Sequence, residues 1–182
     1  MPLPKPPYYT EDDYYNLPEN VRAELIDGQI YYQAAPSRKH QKLVMSLSKT
    51  IANYIDAKGG SCEVYPTPFA VKLRKDRKNI VEPDISVICD KNKLTDEGCL
   101  GAPDWIIEII SPSTSNHDYV RKLQLYADAK VREYWIVDPE KQQVIVYFLE
   151  KDKFKMEAHS FKDTVNANIY EDFAIDFNSI EL

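Results

Sequence analysis

The sequence predicts a mixed α/β or α+β domain built around one central β-sheet. Three observations carry that expectation. The stretch "RKHQKLVMSLSKTIANYIDAKGG" repeats apolar residues at helical spacing. The stretch "DWIIEII" places apolar residues on both sides of an extended chain, as in a strand buried on both faces. The remaining segments fall in the order hairpin, helix, three strands, helix, strand and C-terminal hairpin.

The elements are justified in turn. The start, "MPLPKPPYYTEDD", is Pro-rich and reads as an extended lead-in. Thr10 before "EDDYY" resembles a helix N-cap followed by acidic residues in the first turn. In "AELIDGQIYYQ", Asp27-Gly28 lies between two apolar-containing runs, a short-range hairpin signal. Leu43, Leu47, Ile51 and Tyr54–Ile55 then recur at helical spacing, and Gly59-Gly60 ends the helix. "SCEVYPTPFAVKL" and "NIVEPDISVICD" read as strands, and "DWIIEII" is a third. Asn116–Lys130 fits a helix with Val120, Leu123 and Ala127 on its core side. "REYWIVD" is a strand, Pro139–Gln142 a turn and "QVIVYFLE" a further strand, with "FKMEAHSF" expected to pair with it.

The chain has 182 residues, 43% of them hydrophobic, which fits one globular domain with a core of its own. No apolar run approaches the roughly 20 residues that span a bilayer, so no membrane partner is expected. The N-terminus carries no apolar secretion segment, so a cytoplasmic protein is expected. Cys62, Cys89 and Cys99 show no metal-ligand spacing and are odd in number, so they are expected to be reduced and structural. The formal net charge of -6 argues against strong non-specific nucleic-acid binding. One loop runs the other way: "VKLRKDRKN" holds Lys72, Arg74, Lys75, Arg77 and Lys78 against Asp76 alone. It is either a solvated connection or a set of nucleic-acid contacts.

Glu108 poses the chemical question, because it sits inside Trp-Ile-Ile-x-Ile-Ile. An unpaired ionised carboxylate in a core costs at least several kcal/mol. Glu108 must therefore be protonated, ion-paired or turned to a cleft that holds a metal. Asp84 has a related setting, after Pro83 and before Ile-Ser-Val-Ile. If their strands pair, the two carboxylates come together and repel. A hard divalent cation such as magnesium would resolve that repulsion. The alternatives are a strand-end carboxylate paired with a base for Glu108, and a turn residue for Asp84. Lys122 lies on the next helix with Asp118 and Tyr126 at i-4 and i+4, along one face. It can either reach the carboxylates or pair with Asp118. Two carboxylates, a metal and a lysine suit phosphodiester hydrolysis.

At this point the chain resembles a known family. "AELIDGQIYY", "PSRKHQKLVMSL", "VEPDISVI", "DWIIEIISPST", "RKLQLYADAKVREYWIVDP" and "VIVY" follow in an order and spacing similar to the Uma-two family of restriction-endonuclease-like proteins, within the PD-(D/E)XK nuclease superfamily. The likeness runs from about Glu24 to Tyr147. It implies a restriction-endonuclease-like core with a central mixed sheet flanked by helices. One domain would cover 1–182, with a lead-in and short helix over 1–20, hairpin and core over 21–138, and a C-terminal hairpin and tail over 139–182. The resemblance also implies that Asp84 and Glu108 ligate magnesium or manganese, with Glu24 as a further acidic member and His40 as the histidine at the start of the first core helix. Tyr126 and Lys122 look like the helix motif that follows the signature in related nucleases. One departure stands out: the signature lysine would fall at Ile110, and Lys122 is the natural replacement.

Two functions follow. One is a magnesium- or manganese-dependent endonuclease acting on nucleic acid, DNA above all. Its substrate contacts would come from the basic loop with Arg38 and Lys39, and a homodimer would supply two sites. The other is an inactive binding module that keeps the nuclease fold. The empty lysine position at Ile110 and the acidic net charge favour the second; the joint presence of Asp84, Glu108 and Lys122 favours the first.

Overall fold

Among the described residues, strand-forming segments punctuated by prolines and tight turns give two six-stranded sheets and a small two-stranded one, not a single sheet. The computed structural model describes residues 8–111, 116–150 and 154–182, and of residues 116–118 the backbone only. The lead-in over 1–7 and the "PSTS" loop therefore lie outside the described residues. Helix α1 spans Glu11–Tyr15, with the Asp13 carboxylate bonded back to the N–H and hydroxyl of Thr10. Strands β1 (Ala23–Ile26) and β2 (Gln29–Tyr32) form the expected hairpin. Asp27 and Gly28 both take positive φ, 50° and 75°, as a two-residue turn of this hand requires.

Helix α2 (Arg38–Ala57) is capped by Ser37, whose side chain accepts from the N–H of His40. Its end follows from Gly59 at φ 61° and the Gly60 N–H returning to the Ile55 carbonyl. Each of the next two predicted strands is broken in two. The first becomes β3 (Glu63–Pro66) and β4 (Val71–Lys72), and the second becomes β5 (Ile80–Val81) and β6 (Ile85–Ile88). Pro66, Pro68 and Pro83 sit at the breaks and have no N–H to continue a ladder. Strands β7 (Leu94–Thr95) and β8 (Gly98–Leu100) follow, and then β9 (Trp105–Ile109). Helix α3 (Asn116–Ala129) leads to β10 (Glu133–Asp138), β11 (Gln143–Phe148) and β12 (Lys155–Ser160). Strands β13 (Thr164–Asn166) and β14 (Ala174–Asp176) pair at the C-terminal end.

The central sheet has the order β12-β11-β10-β9-β6-β3 and is mixed, with β9 and β10 parallel. The second sheet has the order β2-β1-β5-β4-β8-β7. Side chains of a strand alternate between faces, and that alternation divides the core. Trp105, Ile107 and Ile109 pack with Trp135 and Val137 against α2 and the C-terminal segment. Ile106, Tyr134 and Ile136 face the other way, toward Tyr126 of α3 and residues of the second sheet. Glu108 shares the parity of Ile106. The answer to its burial thus begins with the sheet's second face.

Two expectations are corrected. The core side of α3 is not Val120 and Ala127, which are exposed; Tyr119, Lys122, Leu125 and Tyr126 point inward. Cys62 and Cys89 are joined as a disulfide, and Cys99 alone is free, buried in the core. The register Glu63↔Ile88 places Cys62 and Cys89 directly opposite, one step beyond the paired residues. Among the described residues no helix is long and apolar enough to cross a membrane.

Candidate active site

Asp84 and Glu108 meet because of register. Strands β6 and β9 are antiparallel with Ile85 opposite Ile107, so Asp84 falls opposite Glu108 one residue further on. Opposed residues of an antiparallel pair share a face. Asp84 Oδ2 accepts a 2.7 Å bond from the backbone N–H of Ile109. His40, in the first turn of α2, places Nε2 3.1 Å from the same oxygen.

Helix α3 supplies the cation. Lys122 Nζ lies 2.9 Å from Glu108 Oε1 and 2.9 Å from Glu24 Oε1. The Tyr126 hydroxyl, one turn on, donates to Glu108 Oε1 at 2.6 Å. Glu24 belongs to β1 of the second sheet, and its Oε1 also accepts from the N–H of Glu82. The hairpin and β9 therefore meet the ammonium group of α3, and the Pro-Asp segment joins them through Glu24 and Ile109. Glu24, Glu108 and Lys122 are all buried, at 4%, 7% and 8% exposure.

Burial pushes the Glu108 carboxyl above the usual carboxylate range, and the charges of Asp84 and Glu24 push it further, while Lys122 and Tyr126 pull it back. Burial alone would lower Lys122, but Glu108 and Glu24 outweigh it and hold the ammonium charged well above its ordinary range. Burial likewise keeps Tyr126 protonated, as a donor. Both directions describe one site: several carboxylates crowd together and favour a cation among them.

Glu24, His40, Asp84, Glu108 and Lys122 line a cleft of about 530 Å³, with Tyr126 behind its wall. Besides the expected residues its wall includes Arg22, Glu82, Tyr31, Tyr32 and Arg121, which the sequence did not mark. Glu82 accepts from both the Arg22 guanidinium and the Tyr14 hydroxyl, so it braces the segment that carries Asp84. Ile110, at the signature lysine position, follows β9 and bonds through its N–H to Val137. Lys122 comes instead from α3. Asp118 as its partner lies outside the described side chains.

The basic loop stands apart from this cleft. Lys72 pairs with Glu11, Arg77 with Glu11 and Asp12, and Arg74 with Asp128. Lys78 lies over the Tyr8 ring at 5.0 Å, and Lys75 is exposed. Near α2, Arg38 is exposed and Lys39 pairs with Glu140.

A family model described as "Uma2: Putative restriction endonuclease" matches residues 11–178. The chain belongs to the Uma2 family. The match takes in both six-stranded sheets, the helices α1, α2 and α3, and every carboxylate of the cleft. Two uncharacterized proteins of Synechocystis sp. are similar. One is 29% identical over 154 residues, 83% of this chain and 78% of that protein. The other is 26% identical over 120 residues, 64% of this chain and 66% of that protein. A crystal structure from Anabaena variabilis, described as "a putative nuclease", superposes with a TM-score of 0.77 over 94% of this chain and 96% of that one. At 22% identity that likeness establishes a shared fold. The restriction-endonuclease-like architecture of this Uma2 protein thus agrees with the expectation from sequence.

Proposed function

We propose that this Uma2 protein is a magnesium- or manganese-dependent endonuclease that hydrolyses phosphodiester bonds of DNA. The observation that supports this most directly is Lys122, held 2.9 Å from both Glu108 and Glu24 on the wall of a cleft that also contains Asp84.

The donor set fits a hard divalent cation. Asp84 and Glu108 offer carboxylate oxygens, and each is engaged by described residues through one oxygen only, Oδ2 and Oε1. Among the described residues no group of three or more His, Cys, Asp or Glu side chains is arranged to hold a metal. Two protein carboxylates, with water and substrate phosphate completing the shell, is the usual manner of magnesium. When bound, such an ion supplies Lewis-acid polarisation of the phosphate and a more acidic water.

The chain's own groups have separable roles. The Ile109 N–H and His40 fix the Asp84 carboxylate, and Tyr126 fixes Glu108. Lys122 stays an ammonium, so it acts as a donor and positive charge beside the reacting phosphate and not as a base. Glu24 holds Lys122 from the other side. A homodimer would supply the two sites that cutting both strands needs.

The competing reading is a binding module in which Glu24, Glu108 and Lys122 form a purely structural ion-pair cluster. Their burial and mutual neutralisation favour it. The test is cleavage of supercoiled and linear DNA with magnesium or manganese, comparing wild type with Asp84→Asn and Lys122→Ala. Cutting that both substitutions abolish supports the nuclease. Equal cutting by all three exposes a contaminant, and no cutting by any favours the binding module.

A further inference from the structure

The wall of the cleft carries two tyrosines that hydrolysis itself does not need. Tyr31 lies opposite Glu24 in the β1–β2 hairpin, so its ring rises on the same face as the Glu24 carboxylate. The Arg121 guanidinium sits 4.8 Å from the centre of the Tyr31 ring. Among the described residues Arg121 makes no ion pair. Tyr32 lines the same cleft, yet is 71% exposed. A single exposed tyrosine needs no explanation. A tyrosine with an arginine 4.8 Å from its ring inside a carboxylate cleft, and a second, exposed tyrosine bordering it, do.

Charge points the same way. The cleft wall sets Glu24, Glu82, Asp84 and Glu108 against Arg22, Arg121 and Lys122, and the whole chain is at -6. Most cations of the basic loop are occupied by Glu11, Asp12 and Asp128. Little free positive charge remains to follow the two phosphate backbones of a duplex. Stacking of bases on aromatic rings and arginine is the alternative source of affinity, and only an unpaired strand exposes base faces to it.

We propose that the cleft takes an unpaired stretch of a DNA strand, with one base against the Tyr31–Arg121 pair inside and another stacked on the exposed Tyr32 ring at its border. This deepens the nuclease reading and rests on it for the chemistry that follows binding. Tyr32 would select strand form and would not take part in bond cleavage.

The test measures binding without turnover. A fluorescein-labelled 15-nucleotide strand and the same sequence as a duplex are titrated with protein in calcium, and anisotropy is read. The single strand should bind at least about tenfold tighter than the duplex. Tyr32→Ala should weaken single-strand binding by roughly 5- to 150-fold, while Tyr32→Phe keeps it and neither variant changes duplex binding. Tyr32 is exposed, so both variants should fold. Equal binding of the two forms, no binding of the single strand, or an unaffected Tyr32→Ala would overturn the proposal. If the wild type cuts duplex DNA with metal but Tyr32→Ala binds normally, stacking falls and hydrolysis stands. If Tyr32→Ala loses the single strand but the wild type never cuts, hydrolysis falls and stacking stands.

Discussion

Asp84 accepts a 2.7 Å hydrogen bond from the backbone N–H of Ile109. That bond ties the Pro-Asp segment to the residue after Glu108 and holds two carboxylates on one face of the central sheet. It also sets a test of Asp84 as a ligand. Asp84→Asn keeps an amide oxygen for the Ile109 N–H and removes the charge. Stability in urea should stay within about 1 kcal/mol of wild type. Manganese affinity, measured by calorimetric titration, should fall at least about tenfold. A variant that binds manganese as well as wild type would remove Asp84 from the ligand set.

The Lys122 contacts predict an uneven response to substitution. Lys122→Met leaves Glu24 and Glu108 facing each other, buried, with no cation. Removing one partner of a buried ion pair typically costs about 3–5 kcal/mol. The triple change Lys122→Met, Glu24→Gln and Glu108→Gln removes every charge of the cluster, and most of that loss should return. Urea unfolding of the metal-free proteins separates the two. Equal destabilisation by the single and triple variants would mean that shape, not charge, holds α3 against β9.

Much of this arrangement was legible in the residues. The nearly unbroken apolar run in "DWIIEII" marked β9 as buried on both faces, and Glu108 as the exception within it. Gly59, Asp27-Gly28 and the α2 repeat marked their elements because each has one strong local cause. The second sheet was not legible. Strands as short as Val71–Lys72 and Ile80–Val81 carry no period, and their partners are set by tertiary packing. The α3 face was misjudged for a related reason. Counting apolar residues selected Val120 and Ala127, whereas the buried face is chosen by Lys122 and Tyr126 reaching Glu108. Nor could spacing reveal the Cys62–Cys89 bond, which follows from the β3–β6 register. Arg22, Glu82 and Tyr32 became visible as cleft residues only once the hairpin was seen against β9.

His40 offers a test of positioning. Its Nε2 lies 3.1 Å from Asp84 Oδ2, and no described residue pairs with its Nδ1. It touches the proposed ligand and not the phosphate. His40→Phe should keep the packing of a buried ring but lose the contact, lowering manganese affinity and metal-dependent cutting together by roughly 10- to 100-fold. His40→Gln, which retains a donor, should recover part of both. A merely structural histidine would instead show lowered thermal stability with unchanged manganese affinity.

Glu133 gives a pH prediction independent of the cleft. It is fully buried on the α2 side of the sheet. Its carboxylate accepts from Trp135 Nε1 at 2.6 Å, from Asn168 through N and Nδ2, and from the N–H of Ile169. Burial pushes its carboxyl up, the four donors pull it back, and the net direction is upward. The folded state therefore holds this proton more tightly than the unfolded chain. Stability attributable to Glu133 must fall as pH rises from the ordinary glutamate range through the raised folded value, and level off above it. Glu133→Gln has no such proton to lose. Its amide also places an NH₂ against four donors, so it should be the less stable protein at neutral pH, by about 1–3 kcal/mol. Urea unfolding of both proteins from roughly pH 4 to 8 measures the difference between them. That difference, wild type minus variant, should shrink as pH rises across the window. Parallel curves would show that the four hydrogen bonds fully offset burial.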